Sequence, residues 1–353
     1  MSGMRLLGGH LMVMLDAAVD VPLHHVSEDT SAAFGSHVVD GDEFERQMEE
    51  GSGWLFYGHR FTDEHRRSQR LEAVYGRAPE GLDGVRLAVA PSLGLGVLTT
   101  WRSLPQVDSF DAALVAKREA ADHHHQRELR RLVESWGLRW ATVGRITSLL
   151  VVQVDSDDLS QVVATHAAEV GALLTGNMED ERPDLLAAHA TDTNISGRRY
   201  ERVYLRWTDA LAVYDRTTDE ASVASMRIAR LVETGLLMRR LLSEAAFETE
   251  TIAQNLDPWT LPWLSPTTTR VESLRQLLAD AELTTSVAPP THSIEGEHLL
   301  ARAMDAFEIP RLLAIVNRSL AELDRRLEWR RLRWLAGAAL IVFLTNTAIA
   351  LFK

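Results

Sequence analysis

The sequence predicts an α+β protein, with an N-terminal mixed α/β domain and a C-terminal helical domain whose long stalk helix continues into one transmembrane helix. Three observations support this fold class. Short apolar runs between Gly and Pro clusters fill the first part of the chain and are typical of strands. Helical spacing of apolar residues begins near residue 196. Finally, residues 334–352 form a stretch of nineteen residues without a charge.

The N-terminal domain combines short strands with two helices. The apolar runs predict strands at residues 11–15, 54–57, 85–90, 95–101 and 149–154. Helices are predicted over 110–136 and 159–174, and Asp157 and Asp158 precede the second helix as capping residues. From the fourth strand onward, the order of elements is compatible with a ferredoxin-like βαββα unit.

The second domain has helical spacing throughout. Five large apolar residues follow one another at steps of four and three, which favours an amphipathic helix. They are Tyr200, Tyr204, Trp207, Leu211 and Tyr214. The predicted elements are a helix hairpin over about 198–255 with its second helix from about 219, a Pro-rich loop over 256–268, and shorter helices over 270–283 and 295–308.

A proline begins the longest predicted helix. Pro310 suits a first helical turn, and no further Pro or Gly occurs before Gly337. Apolar residues recur there at near-heptad spacing: Leu312, Val316, Leu320, Leu323, Leu327 and Trp334. The pattern predicts one helix of about 44 residues. Its apolar stripe needs a cover, either the helix over 295–308 of the same chain or a second copy of the stalk. The heptad-like spacing favours the second copy, so we expect a homo-oligomer.

The charge-free stretch is long enough to cross a bilayer. Nineteen residues at about 1.5 Å each span roughly the 30 Å of the hydrocarbon layer. The predicted anchor residues are Trp334, Leu340, Phe343, Asn346 and Phe352. An amide at membrane depth usually finds a partner, so Asn346 is expected either to pair between subunits or to bond its own backbone. The predicted domains are thus 1–155 (mixed α/β), 156–309 (mainly helical), 310–333 (stalk) and 334–352 (transmembrane helix).

Arginines directly before the span indicate its orientation. They are Arg325, Arg326, Arg330, Arg331 and Arg333, and Glu328 is the one acidic residue among them. A basic flank marks the cytoplasmic side of a span. We therefore expect a single-pass, tail-anchored protein of the inner (plasma) membrane, with the bulk of the chain in the cytoplasm and the lipid bilayer as a partner.

Composition narrows the classes of partner and chemistry. The net charge of −13 argues against a nucleic-acid partner for the soluble part. Cysteine is absent, which removes disulfides, thiolate nucleophiles and cysteine metal ligands. Lysine occurs only at Lys117 and Lys353, and the remaining basic residues are arginine. Together with abundant Ala, Leu and Asp, this bias suggests a bacterial, GC-rich and actinobacterial genome.

No motif predicts a catalytic, cofactor or metal site. Neighbouring helical residues lie about 100° apart, so His123, His124 and His125 cannot converge on one ion. The acidic DSDD run at 155–158 lacks the glycine and the spacing of a calcium loop and fits helix capping. We therefore expect no cofactor.

Aromatic residues are the richest candidate binding feature of the soluble part. The candidates are Tyr200, Tyr204, Trp207, Tyr214, Trp259 and Trp263. The first four are expected to pack as core on Leu231, Leu237 and Leu241, with a partner or ligand groove as the alternative. The two tryptophans of the Pro-rich loop fit a core plug, a partner site or the membrane interface.

Three stretches resemble the C-terminal half of the YagE-like membrane-anchored family. They are ALAVYD at 210–215, NLDPWTLPWL at 255–264 and FEIPRLLAIVNRSLAELDRRLEW at 307–329. The resemblance implies a membrane-tethered scaffold without known catalytic residues. The overall plan is also similar to that of CorA-type magnesium channels. Their Gly-Met-Asn signature and second span are not found in this sequence, so channel activity is not implied.

The sequence therefore predicts a membrane-tethered, non-enzymatic interaction protein that is oligomeric through its stalk and anchor. Two alternatives stay open. One is a membrane-acting effector of a bacterial conflict system, in which the span perturbs the membrane. The other is a membrane-tethered enzyme whose site no sequence motif reveals.

Overall fold

The computed structural model contains a seven-stranded mixed sheet, helices that pack on it, and a long C-terminal helix. It describes residues 6–18, 72–76, 84–90, 95–104, 109–120, 146–175, 182–196, 199–206, 208–217, 221–255, 270–272, 274–275, 278 and 294–351. The strands in these ranges are β1 (Leu6–Ala18), β2 (Glu72–Gly76), β3 (Gly84–Ala90), β4 (Leu95–Leu104), β5 (Ile146–Val154), β6 (Glu201–Leu205) and β7 (Asp209–Tyr214).

Within the described residues, one helix lies between β4 and β5, three lie between β5 and β6, and helices fill most of the chain after β7. They are α1 (Phe110–Ala120), α2 (Leu159–Thr165), α3 (Ala167–Thr175), α4 (Pro183–Asp192), α5 (Ala221–Gln254), α6 (Ile294–Ala306) and α7 (Ile309–Leu351). The mixed sheet with its helices confirms the α+β class, and α7 confirms the long C-terminal helix predicted from residue 310.

Strand β1 lies in the middle of the sheet, whose order is β2-β3-β4-β1-β5-β7-β6. It runs antiparallel to both β4 and β5. Its consecutive residues Leu11, Met12, Val13 and Met14 are all buried, as expected for a strand covered on both faces. Strand β7 pairs in parallel with β5, and β6 is its antiparallel neighbour at the edge.

Most strands were predictable from their apolar runs. The runs at 11–15, 85–90, 95–101 and 149–154 are confirmed as parts of β1, β3, β4 and β5. The run at 54–57 lies outside the described residues. The helix predicted from residue 110 is confirmed up to Ala120, and its continuation lies outside them too. The ferredoxin-like unit therefore stays a prediction.

The amphipathic helix predicted through Tyr200 and Tyr214 is wrong. This region forms the β6–β7 hairpin, in which Tyr204 lies opposite Leu211. Strand β7 is buried over nearly its whole length, so it lacks the alternation that marks a strand, and the aromatic spacing matched the helical period by chance. Of the predicted hairpin over about 198–255, the second helix is confirmed as α5.

The helix predicted over 159–174 is confirmed as helical but is divided at His166. This residue ends α2 with φ −112° and ψ 27°, and α3 begins directly after it. Its ring meets the Phe110 ring edge-on, with 5.8 Å between centroids. Asp158 caps α2 as predicted, because its Oδ1 accepts a hydrogen bond from Gln161 N at 3.1 Å.

Contacts divide the chain into two compact units. The first comprises Met1–Arg239 with Val287–Glu308, and the second comprises Arg240–Ser286 with Ile309–Lys353. The whole sheet belongs to the first unit. The sheet takes β6 and β7 from beyond residue 155, the predicted end of the N-terminal domain.

Within the first unit, the backbones of helices α3 and α4 lie close together at Gly171. A Cβ atom at this position would lie 2.0 Å from the carbonyl oxygen of Leu186. Backbone cannot rotate away as a side chain can, so the contact requires glycine. Helix α3 also packs on α1 and β7, and the glycine contact thereby joins α4 to the sheet.

Candidate membrane anchor

The last part of α7 is apolar on all sides and exposed. Five consecutive residues, Leu340, Ile341, Val342, Phe343 and Leu344, are each 57–67% exposed. Successive helical residues point about 100° apart, so five in a row cover every direction around the helix. A core helix of a soluble protein would bury one of these faces. Of the described helices, α7 is the one long and apolar enough to cross a membrane, over Ile309–Ile349.

The arginines before the span differ in their partners. Glu322 forms ion pairs with Arg325 and Arg326, each at 3.2 Å. Arg331 and Arg333 are exposed, and within the described residues neither guanidinium has a hydrogen bond or an ion pair. The two arginines closest to the span are therefore free to meet an external anion.

Two tryptophans bracket the start of the span. Trp329 is 64% exposed, and Trp334 is half-buried, as is Arg330 between them. Tryptophan rings favour the boundary between lipid and water, where one end is apolar and the other wet. Five helical residues cover about 7.5 Å, close to the thickness of one headgroup layer. The segment from Trp329 to Trp334 is thus suited to the membrane interface.

The polar residues inside the span fall into two kinds. Thr345 Oγ1 donates to the carbonyl oxygen of Ile341, and Thr347 Oγ1 donates to that of Phe343, both at 2.8 Å. Asn346 is exposed, and its amide has no hydrogen bond within the described residues. Of the two expectations for Asn346, the bond to its own backbone is therefore not formed.

The apolar stripe of the stalk is covered within one chain. Val316, Leu320 and Leu323 are buried, and Leu312 and Leu327 are half-buried. The near-heptad spacing favoured a second copy as the cover, and burial within a single chain removes that argument. A homo-oligomer stays a prediction, and its remaining support is Asn346.

A polar contact fixes the stalk to the helical residues near 275. Arg275 forms an ion pair with Asp324 of α7 and a second one, at 2.9 Å, with Glu272. The hydrogen bonds to Asp324 and Glu272 raise the pKa of Arg275 above its ordinary value. Because these side chains are partly exposed, the pairs contribute on the order of 1 kcal/mol or less and chiefly orient the stalk.

Two of the three aromatic candidates that the structure describes are buried. Tyr204 and Tyr214 are buried in strands, and Tyr200 is half-buried. The expected packing of the first two on Leu231, Leu237 and Leu241 stays a prediction. The two buried tyrosines cannot line an open groove. Burial raises the pKa of Tyr204 to about 12. Within the described residues the Tyr204 hydroxyl has no hydrogen-bond partner.

Four predicted site residues lie outside the described residues, and their roles stay predictions. They are Trp207, Trp259, Trp263 and Phe352.

Lys117 is a buried charged residue that was not predicted from the sequence. Lys117 Nζ lies 2.8 Å from Asp209 Oδ1 and donates a hydrogen bond to the carbonyl oxygen of Leu173. Ser148 Oγ donates to the same Asp209 oxygen at 2.7 Å. Ser148 and Asp209 are direct partners in the parallel β5–β7 pair. The cluster thus joins α1, the last turn of α3 and two strands, which is a structural role.

Another unpredicted feature is the link between α6 and α7. Glu308 has a φ of 57°, a left-handed conformation that is uncommon for residues other than glycine. Arg239 Nη1 donates to Phe307 O at 2.9 Å and to Glu308 Oε2 at 3.1 Å. Phe307 is buried, with its ring in the space that a side chain at Gly235 would need. These contacts hold the turn that precedes α7.

An open polar groove of about 670 Å³ lies in the first unit. Its lining combines acidic, basic and amide side chains: Asp192, Asn194, Arg206, Arg302, Asp305 and Glu308. Mixed charge of this kind suits a polar partner surface better than an apolar ligand.

Acidic residues after β5 pair with an arginine and leave no metal site. Arg216 Nε lies 2.7 Å from Asp157 Oδ1, and its Nη1 lies 3.6 Å from Asp155 Oδ1. The hydrogen bond from Arg216 lowers the pKa of Asp157. No cluster of His, Asp and Glu that could hold a metal ion occurs in the part of the chain that the structure describes. The three histidines at 123–125 lie outside that part.

Comparison with known proteins gives no relative. No family model matches the chain, and no curated protein or solved structure matches it either. The resemblance to YagE-like and CorA-type proteins therefore stays a prediction.

Proposed function

We propose that the chain is a membrane-tethered interaction protein whose α7 helix inserts into a lipid bilayer. One observation carries this proposal: five consecutive large apolar residues in the middle of the span are exposed in every direction around the helix. A protein partner in a groove would cover one face of such a helix, whereas lipid covers all of them.

The arginines before the span support a cytoplasmic location for the rest of the chain. Arg331 and Arg333 lie within three residues of Trp334, and positive residues this close to a span are retained on the cytoplasmic side. The inner (plasma) membrane is the proposed location. The net charge of −13 supports protein rather than nucleic acid as the soluble partner.

The polar clusters of the first unit support a role in interaction rather than in chemistry. Lys117 and Asp209 join helices to strands, and Arg216 pairs with the acids after β5. Each cluster has a structural use. The open polar groove offers a mixed-charge surface that could receive a protein partner.

A paired substitution tests the tether. Replacing Leu340 and Phe343 by arginine should cost about 3 kcal/mol per position for insertion at the middle of a bilayer. Together the two changes lower partitioning by roughly four orders of magnitude. The double variant should move to the soluble fraction of alkaline-washed membranes, whereas the wild type stays in the pellet.

The control variant places a single arginine on the same helix but outside the span. Ile315 is an exposed apolar residue of α7, 19 positions before Trp334. The Ile315→Arg variant should remain in the membrane pellet. If the Leu340→Arg/Phe343→Arg variant pellets like the wild type, α7 is not the anchor.

A further inference from the structure

We propose that Arg331 and Arg333 bind the headgroups of anionic phospholipids. The inference rests on the proposed tether and adds to it a ligand class and two binding residues. Both side chains are exposed, and within the described residues neither has a hydrogen bond or an ion pair. A free guanidinium next to lipid offers planar, bidentate recognition of a phosphate group.

Depth along α7 separates Arg331 and Arg333 from Arg325 and Arg326. Arg330 lies about 6 Å before Trp334 but is half-buried, whereas Arg331 and Arg333 are exposed. Arg333 and Arg331 precede Trp334 by one and three residues, which is about 1.5 and 4.5 Å along the helix. The headgroup layer on each side of a bilayer is roughly 5–7 Å thick. When the hydrocarbon core begins at Trp334, both residues lie inside that layer. Arg326 and Arg325 lie about 12 and 13.5 Å away, beyond it.

Ion pairing also distinguishes Arg331 and Arg333 from Arg325 and Arg326. Arg325 and Arg326 both contact Glu322, at 3.2 Å each, and that carboxylate offsets part of their charge. Arg331 and Arg333 have no such partner within the described residues. Their charge is therefore complementary to an anion supplied from outside the chain.

The neighbouring apolar residues place this segment at the interface. Trp329 and Leu332 are 64% and 59% exposed, and such side chains are unfavourable in water but suited to the headgroup boundary. Arg331 and Arg333 point about 200° apart around the helix. Each arginine thus faces its own side of α7, and we expect the two to contact separate lipids.

The test uses the full chain in vesicles of equal parts phosphatidylglycerol and phosphatidylcholine. After flotation, mild detergent extraction and native mass spectrometry give the ratio of retained anionic to zwitterionic lipid. Each basic residue near an anionic surface strengthens binding about fivefold, so two raise the wild-type ratio to roughly 25 to 1. The Arg331→Gln/Arg333→Gln variant should fall to about 1 to 1 by the same reasoning.

The control variant Arg325→Gln/Arg326→Gln removes the same formal charge from outside the headgroup layer. It should keep most of the wild-type ratio, because its arginines are paired and lie about one screening length from the site. A wild-type chain that floats with the vesicles but retains both lipids equally overturns the inference and leaves the tether intact. An equal loss in both double variants also overturns it, because the effect would then be one of net charge. A wild-type chain that does not float overturns both proposals.

Discussion

Replacing Gly171 by alanine should force α3 and α4 apart and destabilise the first unit. The added Cβ would lie 2.0 Å from the carbonyl oxygen of Leu186, whereas ordinary contacts are 3.4–4 Å. The Leu186 carbonyl carbon and Cα, at 2.5 and 2.8 Å, are also in the way. All three atoms are backbone, so the helices must separate by at least about 1.4 Å.

The magnitude follows from two opposing terms. Overpacking a well-packed site costs about 1–3 kcal/mol, and a backbone neighbour argues for the upper end. Replacing glycine by alanine inside a helix stabilises the helix by about 1 kcal/mol. The net loss is about 2 kcal/mol of the free energy of unfolding, which lowers Tm by roughly 4–8 °C for a unit of this size.

The assay is thermal unfolding of the full chain in detergent, followed by far-ultraviolet circular dichroism. Gly337→Ala is the matched control, because a Cβ there meets nothing within 4 Å. It should change Tm by less than about 2 °C. If Gly171→Ala unfolds at the wild-type Tm, the backbones of α3 and α4 are not in contact at this position.

Three further predictions concern the core, the buried ion pair and the span. Unfolded tyrosine ionises near pH 10 and folded Tyr204 near 12, so stability should fall by about 2–3 kcal/mol as pH rises between these values. Tyr204→Phe should abolish that alkaline loss in denaturant titrations, and an unchanged pH profile would contradict the burial of the hydroxyl. Lys117→Met should lower the free energy of unfolding by about 3 kcal/mol, because Asp209 loses its counter-charge in a partly buried site. The measurement is unfolding in urea, and an unchanged free energy of unfolding would contradict the ion pair. Val342→Cys, one helical turn before Asn346 on the same face of α7, should crosslink between subunits in membranes if the Asn346 amide pairs across the span. A monomeric chain without crosslinks would contradict the homo-oligomer.

The long helices and the central strands could be predicted because each carries its own signal. Pro310 begins α7, and an uninterrupted apolar and polar pattern continues it to the span. Leu11 to Leu15 and Leu149 to Val154 are dense apolar runs of strand length, and both form strands in the middle of the sheet. Local pattern was sufficient in these cases.

The β6–β7 hairpin could not be predicted from spacing, because a strand buried on both faces shows no period of two. Tyr204, Leu211 and Tyr214 fitted a helical stripe, and the pairing of β7 with β5 is a long-range contact that no local pattern contains. The preference of Tyr and Val for strands was the one local signal for the observed structure. The break between α2 and α3 at His166 likewise could not be predicted, because no Gly or Pro occurs there.

The exposed apolar end of α7 was predictable from composition, and the pairing of individual polar residues was not. A charge-free stretch identifies a span without knowledge of the fold. The difference between Arg325, which is paired with Glu322, and Arg331, which is not, depends on side-chain positions. The buried Lys117 had one sequence signal, because lysine occurs at only one other position, Lys353.

Cysteine accessibility tests the tether most directly, because the chain contains no cysteine of its own. A single cysteine is introduced at Val342, in the middle of the span, or at Ile315, which is exposed on the stalk. Inverted membrane vesicles are then treated with a membrane-impermeant maleimide. The account predicts that Ile315→Cys is labelled at once and that Val342→Cys is labelled only after detergent dissolves the bilayer. Equal labelling of both cysteines in intact vesicles would contradict it.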